Sequence, residues 1–310
     1  MERVNQTSTV SEFILLGLSS QPEDQKPLFV FFLTMYLITI MGNLLIILAI
    51  HSDPQLQTPM YFFLSFLSFT DICFTTAIVP KMLVNFLSEK KTISYAGCLT
   101  QMYFFYALGN SDSCILAAMA FDRYVAICDP FHYVTTMKPR HCVLLLAFSC
   151  SISHLHSLLH ILLLNLLTFC DSNVIHHFLC DINPLLKLSC TSTFVNEIMI
   201  KTEGLVISVT PFLCISFSYI RILITIINIP SAAGKHKAFS TCGSHLTVVT
   251  LFYGSIFYVY LQPLSSYTVT DRVATIVYTV LSSMLNPFIY SLRNKDLKQG
   301  LKKLMGGMRS

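Results

Sequence analysis

Three groups of residues in this 310-residue chain have the types and spacing to do chemistry. Asp122 and Arg123 are neighbours at the end of a long apolar run, where unpaired charge is costly and a carboxylate can hold a guanidinium in place. Asp71 lies inside another apolar run, and Asp112 lies about three helical turns before Asp122 in the same run as that pair, neither with a basic residue close by. An acid at bilayer depth costs about 2.5 to 3.5 kcal/mol, so both need compensation. Asn43, Asn286 and hydroxyls such as Ser113 are available to surround them, either in a polar centre holding a cation or a shared proton, or with one acid simply protonated and hydrogen-bonded. The third group is His177-Phe178-Leu179-Cys180-Asp181, with imidazole, thiolate and carboxylate close together, beside His156 and His160 one helical turn apart. Metal binding is not expected at either place, because an oxidised Cys180 has no thiolate to offer and two imidazoles lack a third ligand. No ordered set of nucleophile, base and orienting group is present, so no enzyme activity and no cofactor are expected.

These groups must be positioned by long apolar elements. The chain is 54% hydrophobic and 12% charged, against about 25% charged for a soluble domain. Its net charge of +4 is too small to argue for nucleic acid. Seven runs are long enough to cross a hydrocarbon layer: Leu28 to Ile50, Met60 to Leu83, Gly97 to Ile127, Cys142 to Leu167, Ile198 to Ile227, Phe239 to Leu261 and Val273 to Leu292. Helices satisfy their own backbone hydrogen bonds, so these runs predict an all-α membrane protein, a bundle of transmembrane helices rather than a barrel. Residues 1–27 form the segment before the bundle, 28–292 the bundle and 293–310 the tail. Met1 to Lys26 is polar and charged and does not read as a cleavable signal peptide. In the tail, Leu297, Leu301 and Leu304 follow a helical stripe with Lys298, Lys302 and Lys303 on the polar face. That pattern predicts a short amphipathic helix on the inner leaflet, held by apolar burial and anionic lipid.

Charge sets the orientation. The side holding the N-terminus carries 8 Lys and Arg against 10 acids, and the other carries 12 against 4. The basic side should be cytoplasmic, leaving the N-terminus outside, where Asn5-Gln6-Thr7 is a glycosylation acceptor. Cys98, Cys170, Cys180 and Cys190 then face an oxidising space. Spacing permits three pairings, of which Cys98 with Cys180 and Cys170 with Cys190 are expected. The remaining seven cysteines lie in or just inside the membrane and read as reduced small apolar residues. Met102, Tyr106 and Asn110 recur at i, i+4 and i+8 and share one helix stripe.

Several blocks also resemble a known family. Met119-Ala120-Phe121-Asp122-Arg123-Tyr124-Val125-Ala126-Ile127-Cys128 is similar to the olfactory-receptor branch of rhodopsin-like G-protein-coupled receptors. So are Gly42-Asn43, the block Pro59 to Ser65, the block Lys237 to Leu246, and Leu285-Asn286-Pro287-Phe288-Ile289-Tyr290-Ser291-Leu292-Arg293-Asn294, in order over nearly the whole chain. The chain departs from the family pattern at Gln57, Phe66, Phe121, Phe131 and Ser283, where the family usually has His, Asn, Tyr, Leu and Pro. Loss of the proline at Ser283 is expected to alter the bend of the seventh span. Span six has no proline between Phe239 and Leu261, similar to the olfactory pattern. A retinal Schiff base would need a lysine in span seven, and Val273 to Leu292 has none.

The resemblance implies a plasma-membrane odorant receptor whose partners are a small volatile odorant, a heterotrimeric G protein of the olfactory stimulatory type, and membrane lipid. It implies that Arg123, released from Asp122, lets span six move outward and admit the G protein, with Tyr124, Tyr219 and Tyr290 in the same switch. It places the Met102, Tyr106 and Asn110 stripe against a ligand cavity shared with Ile207, Phe257, Tyr260 and Thr279. A mostly apolar wall with a few polar groups suits a weakly polar small molecule. A channel or transporter would call for internal repeats or a charged path through the midplane, and neither is evident in the sequence.

Overall fold

A computed structural model of the chain describes residues 10–170, 172–228, 230–260 and 269–307. The bundle is built from α1 (Pro22–Ser52), α2 (Pro59–Leu87), α3 (Tyr95–Cys128), α4 (Tyr133–Thr136), α5 (Pro139–Asn165), α6 (Ile182–Leu186), α7 (Phe194–Ile227), α8 (Ala232–Tyr260), α9 (Val269–Ile276), α10 (Ser282–Arg293) and α11 (Lys295–Gly307). Seven segments are long and apolar enough to span a membrane, the last running Arg272–Leu292 across α9, a π turn at Val277–Leu281, and α10. Proline occupies the first turn of α1, α2 and α5, where the missing N–H costs no helical bond. Ser94 Oγ accepts from the Gly97 N–H at 3.1 Å and so caps α3.

Most helices start before the apolar stretches because their first turns are polar, whereas α5 stops at Asn165, two residues short of the expected Leu167. α1 starts at Pro22 and carries Glu23 and Asp24 in its first turn. α8 starts at Ala232, taking in Lys235. α7 starts at Phe194, which puts Lys201 and Glu197 on exposed early turns of the helix, 3.8 Å apart. Large apolar side chains of α5 such as Phe148 and Leu155 point away from the protein, as lipid-facing helices require. α3 is the central post, packed on α2, α5, α7 and α8.

One end of the bundle carries a cap that hydrophobic periodicity did not announce. Strands β1 (Glu12–Leu15), β2 (Thr92–Ser94) and β3 (Val174–Ile175) form a sheet in the order β2-β1-β3, with β1 antiparallel to β2 and parallel to β3. Phe13 and Leu15 are fully buried beneath it among Cys98, Met102, Phe169, Ile175 and Cys180. After β1 the backbone turns at Gly17, at a φ of 76° that suits glycine. Arg272 Nη1 donates to the Gly17 carbonyl at 2.9 Å, fastening this segment to the last span. Asn5, the glycosylation acceptor, lies outside the described residues.

At the opposite end α11 folds back against α1 and a 3-10 turn at Pro54–Leu56. Asn294 Oδ1 accepts from the N–H groups of Asp296 and Leu297 at 3.0 and 3.2 Å, capping the helix, and from the Tyr61 hydroxyl at 2.9 Å. The stripe expected to lie in lipid is shared with the protein: Leu297 is fully buried in the bundle core, and Leu301 packs against the same cluster. Lys303 Nζ meets Asp53 Oδ2 at 2.8 Å, while Lys298 and Lys302 remain exposed. The Lys303 hydrogen bond, with a second from the Gln55 N–H, holds the Asp53 carboxyl below its ordinary value.

Candidate functional site

At the tail end of α3, Arg123 bonds Asp122 Oδ2 through Nη2 at 2.5 Å and Nε at 3.0 Å. Asp122 is fully buried, and its other oxygen accepts from the Tyr133 hydroxyl on α4 at 2.8 Å. Each carboxylate oxygen therefore has a donor, which the low-dielectric setting demands. Two turns away, His245 Nε2 lies 3.0 Å from the Leu116 carbonyl and Nδ1 lies 2.8 Å from the Tyr219 hydroxyl. A carbonyl only accepts, so Nε2 carries the proton and Tyr219 donates to Nδ1. That one imidazole ties α8 to α3 and α7. Tyr290 is buried, and its hydroxyl has no partner among the described residues. Tyr124 lies against Phe217 of α7, ring centroids 6.4 Å apart. Tyr133 and His245 were not singled out from sequence. His245 sits inside one of the matching blocks, whereas nothing in the periodicity marks Tyr133.

The acids of the membrane interior meet partners from other helices. Asn286 Nδ2 donates to Asp71 Oδ2 at 2.8 Å. Thr70 Oγ1 lies 2.5 Å from Asp112 Oδ1 and 2.9 Å from the Leu67 carbonyl. One hydroxyl proton cannot serve both acceptors, so whenever it goes to Leu67 the Asp112 contact needs a proton on the acid. Asn43 Nδ2 donates to the carbonyls of Thr39 and Ser283 at 3.0 and 3.1 Å. The amide oxygens of Asn43 and Asn286 are buried with no partner among the described residues. Ser113 is buried on α3. Asp71 and Asn286 are thus brought together, whereas Asp112 is held by Thr70 and Asn43 by the Thr39 and Ser283 carbonyls. Among the described residues no group of three His, Cys, Asp or Glu is placed to hold a metal ion.

The π turn at Val277–Leu281 immediately precedes Ser283, where the family proline is missing, and the hydroxyls of Thr279 and Ser283 donate to the carbonyls of Thr275 and Thr279 at 2.6 and 2.9 Å. This span therefore carries a π turn shortly before Ser283, in addition to Pro287 inside α10.

The stripe Met102, Tyr106, Asn110 runs inward from the cap. Met102 is fully buried under the strands. The Tyr106 hydroxyl donates to Asp181 Oδ1 at 2.5 Å, and Asn110 Nδ2 lies 3.2 Å from His156 Nδ1. His156 Nε2 in turn lies 3.0 Å from His160 Nε2, both buried. Phe257 packs on Phe212 at 4.9 Å and Tyr253 at 5.8 Å between ring centroids. Thr279 is buried and Ile207 half-buried. The side chain of Tyr260 lies outside the described residues. Asp181 and His156, which the sequence did not connect with the stripe, are its hydrogen-bond partners.

Cys98 is bonded to Cys180 and Cys170 to Cys190. Cys180 thus has no thiolate, and His177 stacks on Phe178 with its Nδ1 accepting from the Leu179 N–H at 3.3 Å.

A family model for the olfactory receptor matches residues 32–307. Human olfactory receptor 1L8 is 80% identical over 305 residues, covering 98% of this chain and 99% of the relative. Human olfactory receptor 1L3 is 74% identical, covering 97% and 93%. Rat olfactory receptor 1f45 is 54% identical, covering 98% and 97%. The crystal structure of squid rhodopsin superposes with a TM-score of 0.74 at 20% identity, covering 91% of this chain and 81% of that one, which speaks to the fold. With the seven-helix bundle, these matches place the chain in the olfactory receptor family, as a multi-pass membrane receptor and not an enzyme.

Proposed function

We propose that the protein binds small, volatile, weakly polar organic molecules inside the bundle and answers by activating a stimulatory, olfactory-type G protein that raises cAMP. The capped end, with its disulfides, faces outside, and the Asp122–Arg123 end faces the cytoplasm. The observation that carries this reading is the closed Asp122–Arg123–Tyr133 arrangement beside the His245 bridge. The His245 bridge is the latch that holds α8 to α3 beside the paired Arg123, and its release with Arg123 opens the bundle to a G-protein helix. The ligand acts by differential affinity for the closed and open arrangements. Apolar burial against the wall that includes Met102, Tyr106, Ile207, Phe257 and Thr279 supplies most of the affinity, while Asn110 or Tyr260 gives one orienting hydrogen bond. Tyr124, Tyr219 and Tyr290 rearrange with Arg123.

Asn43, Asp71, Asp112 and Asn286 form a polar core that carries a cation or a shared proton and couples the ligand end to the latch. Residues 1–27 precede the bundle outside and carry the glycan on Asn5, residues 28–292 span the membrane, and residues 293–310 lie at the inner leaflet in contact with lipid. A cAMP reporter screen of a few hundred volatile compounds tests the reading. Some compound should raise cAMP in the parent receptor and leave the Arg123→Ala receptor silent at equal surface level. A response that survives Arg123→Ala would refute it.

A further inference from the structure

α7 and α8 leave a gap between them along their tail-side halves. Between them lies a crevice of about 400 Å³ lined by Phe212, Ile215, Ile222 and Leu223 of α7 and Leu246 and Val249 of α8. Its base is closed by Ile222, Ile226 and Cys242, and its mouth opens to the lipid side, where Ile220 and Leu223 are 59% and 46% exposed. At hydrocarbon depth such a gap is filled by something apolar, because water there would face almost no polar atoms. The occupant's other end is set by charge. Lys235 lies on the same α8 stripe as Cys242, Leu246 and Val249, roughly 10 Å nearer the helix start, and has no ion-pair partner among the described residues. From Gly204 to Thr270 the sequence contains no acid.

We propose that this crevice binds one acyl chain of an anionic phospholipid, with the lipid phosphate at Lys235. Tyr219 lines the crevice and also holds His245, so an occupying chain props the helices beside the latch. That last step rests on the receptor reading given above; the binding itself does not. The inner-leaflet source follows from the proposed orientation.

The chain has no tryptophan, so one introduced indole is the sole reporter. Full-length receptor carrying Leu223→Trp is placed in phosphatidylcholine nanodiscs containing increasing fractions of chain-brominated phosphatidylserine or chain-brominated phosphatidylcholine. Leu144→Trp, on the lipid-facing side of α5, reports ordinary lipid contact. Leu223→Trp should reach half-quenching at about fivefold less phosphatidylserine than phosphatidylcholine, the preference one lysine beside anionic lipid supplies. Leu144→Trp should show no preference, and adding Lys235→Gln should erase it at Leu223→Trp. Equal quenching by the two lipids at Leu223→Trp, an equal preference at Leu144→Trp, or a preference that survives Lys235→Gln overturns the site. Ile220→Trp, also on the crevice wall, replaces Leu223→Trp if that receptor does not fold. Both leaflets of a nanodisc are alike, so the outcome is independent of orientation and of signalling.

Discussion

Replacing His245 with phenylalanine removes the bridge between α8 and its two neighbours while keeping a ring of similar size. Two hydrogen bonds are lost, to the Leu116 carbonyl at 3.0 Å and from the Tyr219 hydroxyl at 2.8 Å. Each is worth about 0.5 to 1.5 kcal/mol net, so the closed arrangement loses about 2 kcal/mol relative to an open one in which neither bond exists. That shifts the closed-to-open ratio by roughly 30-fold. Tyr219→Phe removes only one of the bonds, and about 1 kcal/mol corresponds to roughly fivefold. The assay is ligand-free cAMP accumulation normalised to surface-labelled receptor, with Arg123→Ala as the zero. Basal signal should rise in the order parent, Tyr219→Phe, His245→Phe. Basal signal equal to the parent in both variants, at normal surface level, would show that the bridge does not hold the closed bundle and would refute the reasoning.

Three further outcomes are expected. Agonist potency in the parent should depend on sodium concentration or pH, and Asp71→Asn or Asp112→Asn should abolish that dependence; the same dependence in all three receptors would remove the polar core from the mechanism. Asn110→Ala and Tyr260→Ala should lower agonist potency without lowering surface expression, and unchanged potency in both would move the ligand elsewhere. The Asp53 carboxyl is held below the ordinary value of 3.8, so its contribution to docking α11 is complete above that value and is lost as pH falls through the lower folded one. Asp53→Asn mimics the acid form at neutral pH and should speed amide exchange in α11 relative to the parent, an effect kept small by solvent around Lys303. Exchange unchanged in α11 would mean that the Leu297 contact alone holds the tail.

The membrane spans were legible because some 20 apolar residues in a row leave few alternatives, and Asp71, Asp112 and Asp122 stood out as charges in the wrong solvent. The ends of the spans were not, since polar first turns such as Pro22 to Lys26 and Ala232 to Lys237 continue a helix without looking apolar. The cap strands escaped because β1 has four residues and β3 two, too few for a period to register. They pair segments distant in the chain, which the Cys98–Cys180 bond and Arg272 help to tie down. The stripe on α3 was readable from its spacing, but its partners Asp181 and His156 come from other elements, and so does Tyr133 for Asp122. Position along one helix predicts a face, and only packing says who meets it. The tail shows the same limit: its amphipathic stripe was visible, while the burial of Leu297 and the pairing of Lys303 with Asp53 depend on a turn some 250 residues away.

An odd number of crossings is required to leave the capped end outside and Arg123 in the cytoplasm. Epitope tags at the two termini, stained on intact and on permeabilised cells, test this directly. The N-terminal tag should stain on intact cells and the C-terminal tag only after permeabilisation. Both tags staining on intact cells, or both only after permeabilisation, would contradict it.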